Sequence, residues 1–188
     1  MLLMNSGAAG ADAGISPGDL GSIESWWRAD TEVTGTSEIT AWGDPISARD
    51  LTKEGSTGPV LTASDANFNG EPSVNFNGFA SGGLSAAAQT QAQPLHMFMC
   101  MRQDSYTSAD MMIILRSQAG VAHKSVVQQF GGTPEIRLSE DDQDPSFVST
   151  TAIALDTTVL LICLFSGASN SSIAVNDGTP STGDAGTN

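Results

Sequence analysis

Two short, strongly apolar runs constrain the fold of this chain more than any other feature of its sequence. The first, Leu95–Met101, alternates between a face of Leu and Met side chains and a face carrying His96, Phe98 and Cys100. The second, Val159–Phe165, is apolar on both faces. Both are far shorter than the roughly 20 residues of a membrane-spanning helix, and both have the length of a buried strand. They therefore predict two paired inner strands with both faces mostly buried.

Most of the remaining chain also has the pattern of strands and turns. The polar residues are mainly Ser, Thr, Asn and Gln, and only 15% of residues are charged, a composition that suits strands better than helix surfaces. The Asn176–Gly178 segment has the turn chemistry of hairpins. Further strands are predicted at Val60–Ala63, Met111–Arg116, Ser125–Phe130, Glu135–Leu138 and Phe147–Ala154. The expected fold class is all-β, an antiparallel two-sheet sandwich with less than about 15% helix.

Three segments add a family resemblance. Residues 22–30 read SIESWWRAD, residues 38–44 read EITAWGD and residues 72–78 read PSVNFNG. This order resembles the opening of concanavalin A-like jelly-roll domains related to laminin G and pentraxin modules. The resemblance covers residues 20–178 and implies a jelly-roll sandwich. Domains of this kind are common in tail, fibre and head-decoration proteins of bacteriophages and in large bacterial surface proteins.

The expected organisation is one sandwich, residues 20–178, between two less patterned ends. Residues 1–19 form an arm rich in Gly, Ala and Ser, which indicates either a flexible terminus or a segment that orders on a neighbouring subunit. In the family resembled, further strands follow the equivalent of Val175–Gly178. Residues 179–188 are therefore expected to be a loop or the start of a continuation. The alternatives are a fragment of a longer chain, a shorter sandwich, or completion by another chain.

The charge balance excludes several partners. With 21 Asp and Glu against 7 Lys and Arg, the formal net charge is −14. Nucleic acid binding needs a basic patch, so we expect no nucleic acid partner. An anionic membrane surface is disfavoured for the same reason, and no secretion signal is predicted before Arg28, the first cationic residue.

The two cysteines are predicted to be buried and reduced. Cys100 and Cys163 lie in the middle of the two apolar runs, where a free thiol behaves as a small hydrophobic group. A bridge between adjacent strands is the alternative. Reduced thiols favour folding in a reducing cytoplasm.

No catalytic residue is predicted, and the chain is expected not to be an enzyme. Gly14–Gly18 matches the G-x-S-x-G pattern, but Pro17 follows the Ser and has no N–H to stabilise an oxyanion. Neither His96 nor His123 is tied by spacing to a nucleophile or an acid.

One acidic loop is a candidate metal site. The Glu140–Asp144 segment, followed by Pro145, lacks the strand context that glycoside hydrolase carboxylates require. Clustered carboxylate oxygens are what Ca²⁺ prefers, and the resemblance implies calcium at sandwich rims. Two interpretations remain open: a solvated acidic loop, or a calcium site formed by Asp141, Asp142 and Asp144. No other cofactor is predicted.

The tryptophans are candidate glycan-binding residues, since exposed aromatic rings stack on sugars. Trp26 and Trp27 are adjacent, so on a strand one would face the core and the other could be partly exposed. The resemblance implies that the tryptophans of these segments pack inside. Arg28 is predicted to pair with Asp30 or Asp44.

Two functional classes follow from these features. The first is a non-catalytic structural component of a phage virion, assembled in the host cytoplasm as a homo-oligomer with other virion proteins. The second is a carbohydrate-binding or adhesion module that recognises a surface glycan. The missing secretion signal, reduced thiols and acidic surface favour the first.

Overall fold

The computed structural model describes residues 23–76, 82–87, 94–106, 111–116, 124–129, 132–139, 148–150, 152–166 and 170–185. The strands within these ranges are β1 (Val33–Thr34), β2 (Ala41–Trp42), β3 (Leu51–Gly55), β4 (Val60–Thr62), β5 (Ser73–Asn75), β6 (Gly82–Ser85), β7 (Leu95–Met101), β8 (Met111–Arg116), β9 (Lys124–Gln129), β10 (Ile136–Ser139), β11 (Val148–Ser149), β12 (Val159–Phe165), β13 (Ser171–Val175) and β14 (Ser181–Gly183).

Every strand pair is antiparallel, which confirms the all-β prediction for the described part of the chain. The helical structure within these ranges is one 3-10 turn, Ala66–Phe68. No helix in the described ranges is long and apolar enough to cross a membrane. The antiparallel sheets are consistent with a β-sandwich.

The chain divides into two compact units, Met1–Ala87 and Ala88–Asn188. The first unit contains a four-stranded sheet in the order β1-β2-β3-β6 and a separate β4-β5 pair. Its small core is formed by Ala29, Ile39 and Trp42, with Trp27 among the side chains packed around them. The domain boundaries expected from the sequence stay a prediction.

The second unit contains two four-stranded sheets with one shared core. Their orders are β14-β13-β12-β7 and β11-β10-β9-β8. Side chains of both sheets meet in this core, among them Met99 and Leu161 from one sheet and Val127 and Leu138 from the other. Burial of these apolar faces against each other is the main stabilising contribution to the unit.

The predicted pairing of the two apolar runs is confirmed over their whole length. Leu95 pairs with Phe165 at one end of the β7–β12 ladder, and Met101 pairs with Val159 at the other. β12 lies inside its sheet between β13 and β7, whereas β7 is the last strand of that sheet among the described residues. The prediction of two mostly buried faces is wrong for β7, because Phe98 is 40% exposed.

Most of the other predicted strands agree with the structure to within a residue or two. The exception is Phe147–Ala154, where the strand is only Val148–Ser149. The backbone N–H of Ile136 donates to the Thr150 hydroxyl at 3.1 Å. After Ser149, the Thr150 hydroxyl oxygen accepts the Ile136 N–H in place of a backbone carbonyl. The β10–β11 ladder therefore ends at Ser149.

The two cysteines lie on opposite faces of one sheet. Cys100 pairs with Leu160, and Cys163 pairs with Met97. Because successive side chains alternate between faces, the two thiols point away from each other and cannot form a bridge. Both are free; Cys163 is buried as predicted, and Cys100 is half-buried.

Candidate functional site

The tryptophan-rich segments meet at one corner of the first unit. The β1–β2 hairpin turns through Gly35, whose φ is 109°, and a Cβ there would lie 2.0 Å from the Glu38 carbonyl oxygen. Only glycine fits this turn. The hairpin places Trp42 on β2 with its ring buried, and Trp42 Nε1 donates to the Arg28 carbonyl at 2.6 Å. This bond holds the backbone at Arg28, in the segment that precedes β1, against the Trp42 side chain of β2.

Trp27 is a packing residue. Its ring lies half-buried against the Ala29, Ile39 and Trp42 core. Its Nε1 atom donates to the Arg49 carbonyl at 3.0 Å. Because the apolar ring contacts the core and its polar atom has a protein acceptor, Trp27 does not form a sugar-stacking platform.

Trp26 is different, because a charged side chain stacks on its ring. The Arg28 guanidinium carbon lies 4.9 Å from the ring centroid. Arg28 is in turn held by Asp30, with a distance of 2.8 Å between Nε and Oδ1, which confirms one of the two predicted ion pairs. A cation over an exposed aromatic ring contributes about 0.5–1 kcal/mol. One face of the Trp26 ring is therefore occupied by Arg28 and is not available to a sugar ring.

The segment that carries these two tryptophans is not a strand, so the expected alternation of faces does not apply. Both rings are half-buried. The backbone N–H of Trp26 donates to Asp44 Oδ1 at 3.1 Å instead of to a neighbouring strand. The Asp44 carboxylate thus accepts the backbone N–H that a neighbouring strand would accept in a sheet.

Asp44 is the polar centre of this corner and is only 4% exposed. Oδ1 accepts from the Ile46 N–H at 3.0 Å, and Oδ2 accepts from the Ser47 hydroxyl at 2.5 Å. Burial alone would raise the pKa of Asp44, but the hydrogen bonds from Ser47, Ile46 and Trp26 outweigh it and hold the pKa below its ordinary value. Asp44 is therefore a carboxylate in the folded protein and stabilises the corner.

A second carboxylate organises the β4–β5 hairpin, and sequence analysis missed it. Asp65–Gly70 reads D-A-N-F-N-G, which has the spacing of the first ligands in an EF-hand loop. Position 12 of that pattern, normally a bidentate Glu, is Phe76. The Asp65 oxygens accept from the Asn67 N–H at 2.9 Å and from the Ser73 hydroxyl at 2.6 Å. These bonds close the loop, so the carboxylate has a structural role.

The other predicted candidates are not brought together in the described structure. Asp141, Asp142 and Asp144 lie outside the described residues, as does His123. Among the residues that are described, no cluster of three or more His, Cys, Asp or Glu side chains could hold a metal ion. His96 is exposed on β7.

Comparisons with known proteins leave the fold and the site to be argued from this chain alone. No family model matches the chain, and no curated protein or solved structure matches it either. The resemblance to concanavalin A-like domains stays a prediction.

Proposed function

We propose that this protein is a non-catalytic structural component of a phage virion, built on a jelly-roll sandwich. The observation that carries the proposal is how the polar groups of the tryptophan corner are used. Asp44, Arg28 and the indole N–H of Trp27 all bond to neighbouring protein atoms. An arrangement of this kind stabilises a rigid surface module, whereas a catalytic site needs polar groups directed at a substrate.

The acidic surface and the thiols support the same role. A net charge of −14 favours solubility and opposes unspecific association during assembly. Cys100 and Cys163 are both free, which suits assembly in the reducing cytoplasm of a host. The sandwich would supply the outer surface, and residues 1–19 would make the attachment to a neighbouring virion protein.

The experiment is a particle assay with the phage that encodes the chain. Particles are purified on a density gradient, and mass spectrometry measures the copies of this chain per particle. We expect a fixed, repeated copy number in intact particles, and its loss when residues 1–14 are deleted while the melting temperature is kept. Peptides that appear only in the host lysate, or unchanged incorporation of the truncated chain, would contradict the proposal.

A carbohydrate-binding module is the second candidate, and Trp26 is the observation that favours it. The ring is half-buried, and the Arg28–Asp30 ion pair lies beside it. Tryptophan fluorescence during titration with a glycan panel would detect stacking. Under this alternative, Trp26→Ala abolishes the response and lowers the unfolding free energy by about 1 kcal/mol, because the contact with Arg28 is lost. The matched control, Trp27→Ala, lowers stability because Trp27 packs on the core.

A further inference from the structure

A buried amide oxygen in the second unit has no donor among the described residues. Gln103 follows β7 and is 9% exposed, and its Nε2 atom donates to Gln129 Oε1 at 3.1 Å. Its own Oε1 atom is buried and accepts no hydrogen bond from the described part of the chain. Such oxygens are rare in folded proteins, because burial removes their contact with bulk water. This oxygen therefore indicates a donor other than the described residues.

The direction of the Gln103 oxygen is fixed by its neighbours. The Thr133 carbonyl can only accept a hydrogen bond, so the Gln129 atom that lies 2.9 Å from it must be the amide nitrogen. Gln129 Oε1 then faces Gln103 and must receive a donor, which is Gln103 Nε2. Exchanging nitrogen and oxygen in either amide, or in both, would place two acceptors against each other. Gln103 Oε1 is therefore not directed at Gln129, and it needs a donor of its own.

The segments around this pair contain polar backbone groups. The Gln103 carbonyl accepts from the Asp156 N–H at 2.8 Å. The Tyr106 hydroxyl donates to the Ile153 carbonyl, and the Ile153 N–H donates to the Pro134 carbonyl at 2.8 Å. Each carbonyl oxygen has two lone pairs. A buried water molecule needs two to four polar partners, and a site of this composition can supply them.

We propose that Gln103 Oε1 accepts a hydrogen bond from a water molecule bound inside the second unit. One O–H of the water supplies the donor that this oxygen needs, and the other can donate to a neighbouring backbone carbonyl. A metal ion is a weaker candidate, because no cluster of three or more His, Cys, Asp or Glu side chains exists among the described residues. The inference does not depend on the virion role, since it rests on the two amides alone.

NMR of the full chain in water tests the proposal. Cross-relaxation is measured between the water resonance and the side-chain amide protons of Gln103. For a water that stays bound longer than the protein takes to tumble, the laboratory-frame and rotating-frame Overhauser effects have opposite signs, whereas proton exchange gives equal signs. We expect opposite signs at Gln103. Their absence, or an Overhauser effect from a hydroxyl or amide proton of another residue at this position, would overturn the proposal.

A variant measures the same water independently. Gln103→Met keeps the length of the side chain and removes its oxygen. Oxygen-17 relaxation dispersion counts long-lived waters, and the variant should have about one fewer than the unaltered chain, out of about one buried water per 27 residues in globular proteins. The matched control is Gln128→Met, because Gln128 lies next to Gln129 on β9 and points to the opposite face.

The two variants separate the possible outcomes. A folded Gln103→Met chain that keeps every long-lived water would contradict the proposal, as would a loss of the same size in Gln128→Met. If Gln103→Met does not fold, the signs of the Overhauser effects at Gln103 in the unaltered chain decide the question alone.

Discussion

Gln103, in the loop that follows β7, and Gln129, the last residue of β9, are joined by a buried hydrogen bond between their side-chain amides. Gln103 Nε2 donates to Gln129 Oε1 at 3.1 Å, and Gln129 Nε2 donates to the Thr133 carbonyl at 2.9 Å. Gln129 is 1% exposed and Gln103 is 9% exposed. Among the described residues, no donor reaches Gln103 Oε1. The bond links the loop after β7 to the end of β9 with a direction that apolar packing does not provide.

Removing Gln129 should therefore destabilise the protein more than removing Gln103. Gln129→Leu leaves the Gln103 Nε2 donor without its acceptor and also removes the hydrogen bond to the Thr133 carbonyl, and a buried unpaired group costs about 1–3 kcal/mol. Gln103→Leu leaves one group, Gln129 Oε1, without its donor, and it also removes Gln103 Oε1, which already lacks a described donor. Urea unfolding of both single variants and the double variant measures the coupling. A double variant as unstable as the sum of the two singles would show that the amides are not coupled.

Asp44 should make the stability of the protein depend on pH. Its folded-state pKa is lowered, so its contribution is present above the unfolded pKa of about 3.9 and is lost as pH falls through the folded value. Asp44→Asn should lower the unfolding free energy by about 2 kcal/mol at neutral pH, since hydrogen bonds to charged groups contribute about that amount. Urea unfolding at about pH 7 and about pH 3 should show a smaller pH dependence in the variant. An equal dependence in both proteins would contradict this role.

The shared core of the second unit should be sensitive to truncation. Leu161 is fully buried and Met99 is 8% exposed. Leu161→Ala or Met99→Ala should each lower the unfolding free energy by about 2–5 kcal/mol, because the removed methylene groups leave a cavity. Leu160→Ala, on the half-buried opposite face, is the control and should lower it less. Equal losses for Leu160 and Leu161 would mean that the two faces are not distinguished as described.

The two thiols should differ in reactivity. Burial raises the pKa of the Cys163 thiol to about 12 and also raises the pKa of Cys100. Because the thiolate is the reactive form, maleimide near neutral pH should modify Cys100 slowly and Cys163 only after unfolding. Mass spectrometry of peptides from labelled native and denatured protein measures both rates. Rapid native modification of Cys163 would contradict the described burial.

The acidic loop can be tested with calcium. We expect millimolar Ca²⁺ to leave the melting temperature unchanged, as for a solvated loop. The control is the triple variant of Asp141, Asp142 and Asp144 to Asn, which should melt equally with and without Ca²⁺. A rise in the melting temperature that the triple variant loses would establish the calcium site instead.

The strands that could be predicted from the sequence are those whose pattern is local. Val159–Phe165 alternates strictly between buried and half-buried positions, and its length alone separates it from a buried helix. The Asn176–Gly178 turn follows from local turn chemistry, and the Gly178 N–H donates to the Val175 carbonyl at 3.0 Å. Such features depend on neighbours in sequence, so one sequence suffices to find them.

The tryptophan corner and the glutamine pair could not be predicted in the same way. Trp26 is held by Asp44, 18 residues away, and Gln103 by Gln129, 26 residues away. No periodicity connects residues at such distances. Polar side chains in a core also contradict the rule that places them on the surface. The D-A-N-F-N-G spacing at Asp65 was visible, but only the structure shows that its carboxylate closes a hairpin.

The ladder between β7 and β12 has a consequence for how the chain folds. Four strands, β8 to β11, lie between its partners in the sequence, so the ladder can form only after a long loop has closed. Closing the loop lowers the conformational entropy of the chain before any β7–β12 hydrogen bond forms. For this reason, proteins rich in contacts between distant residues fold slowly. The β12–β13 hairpin should therefore form early, and the arrival of β7 should set the folding rate of the second unit.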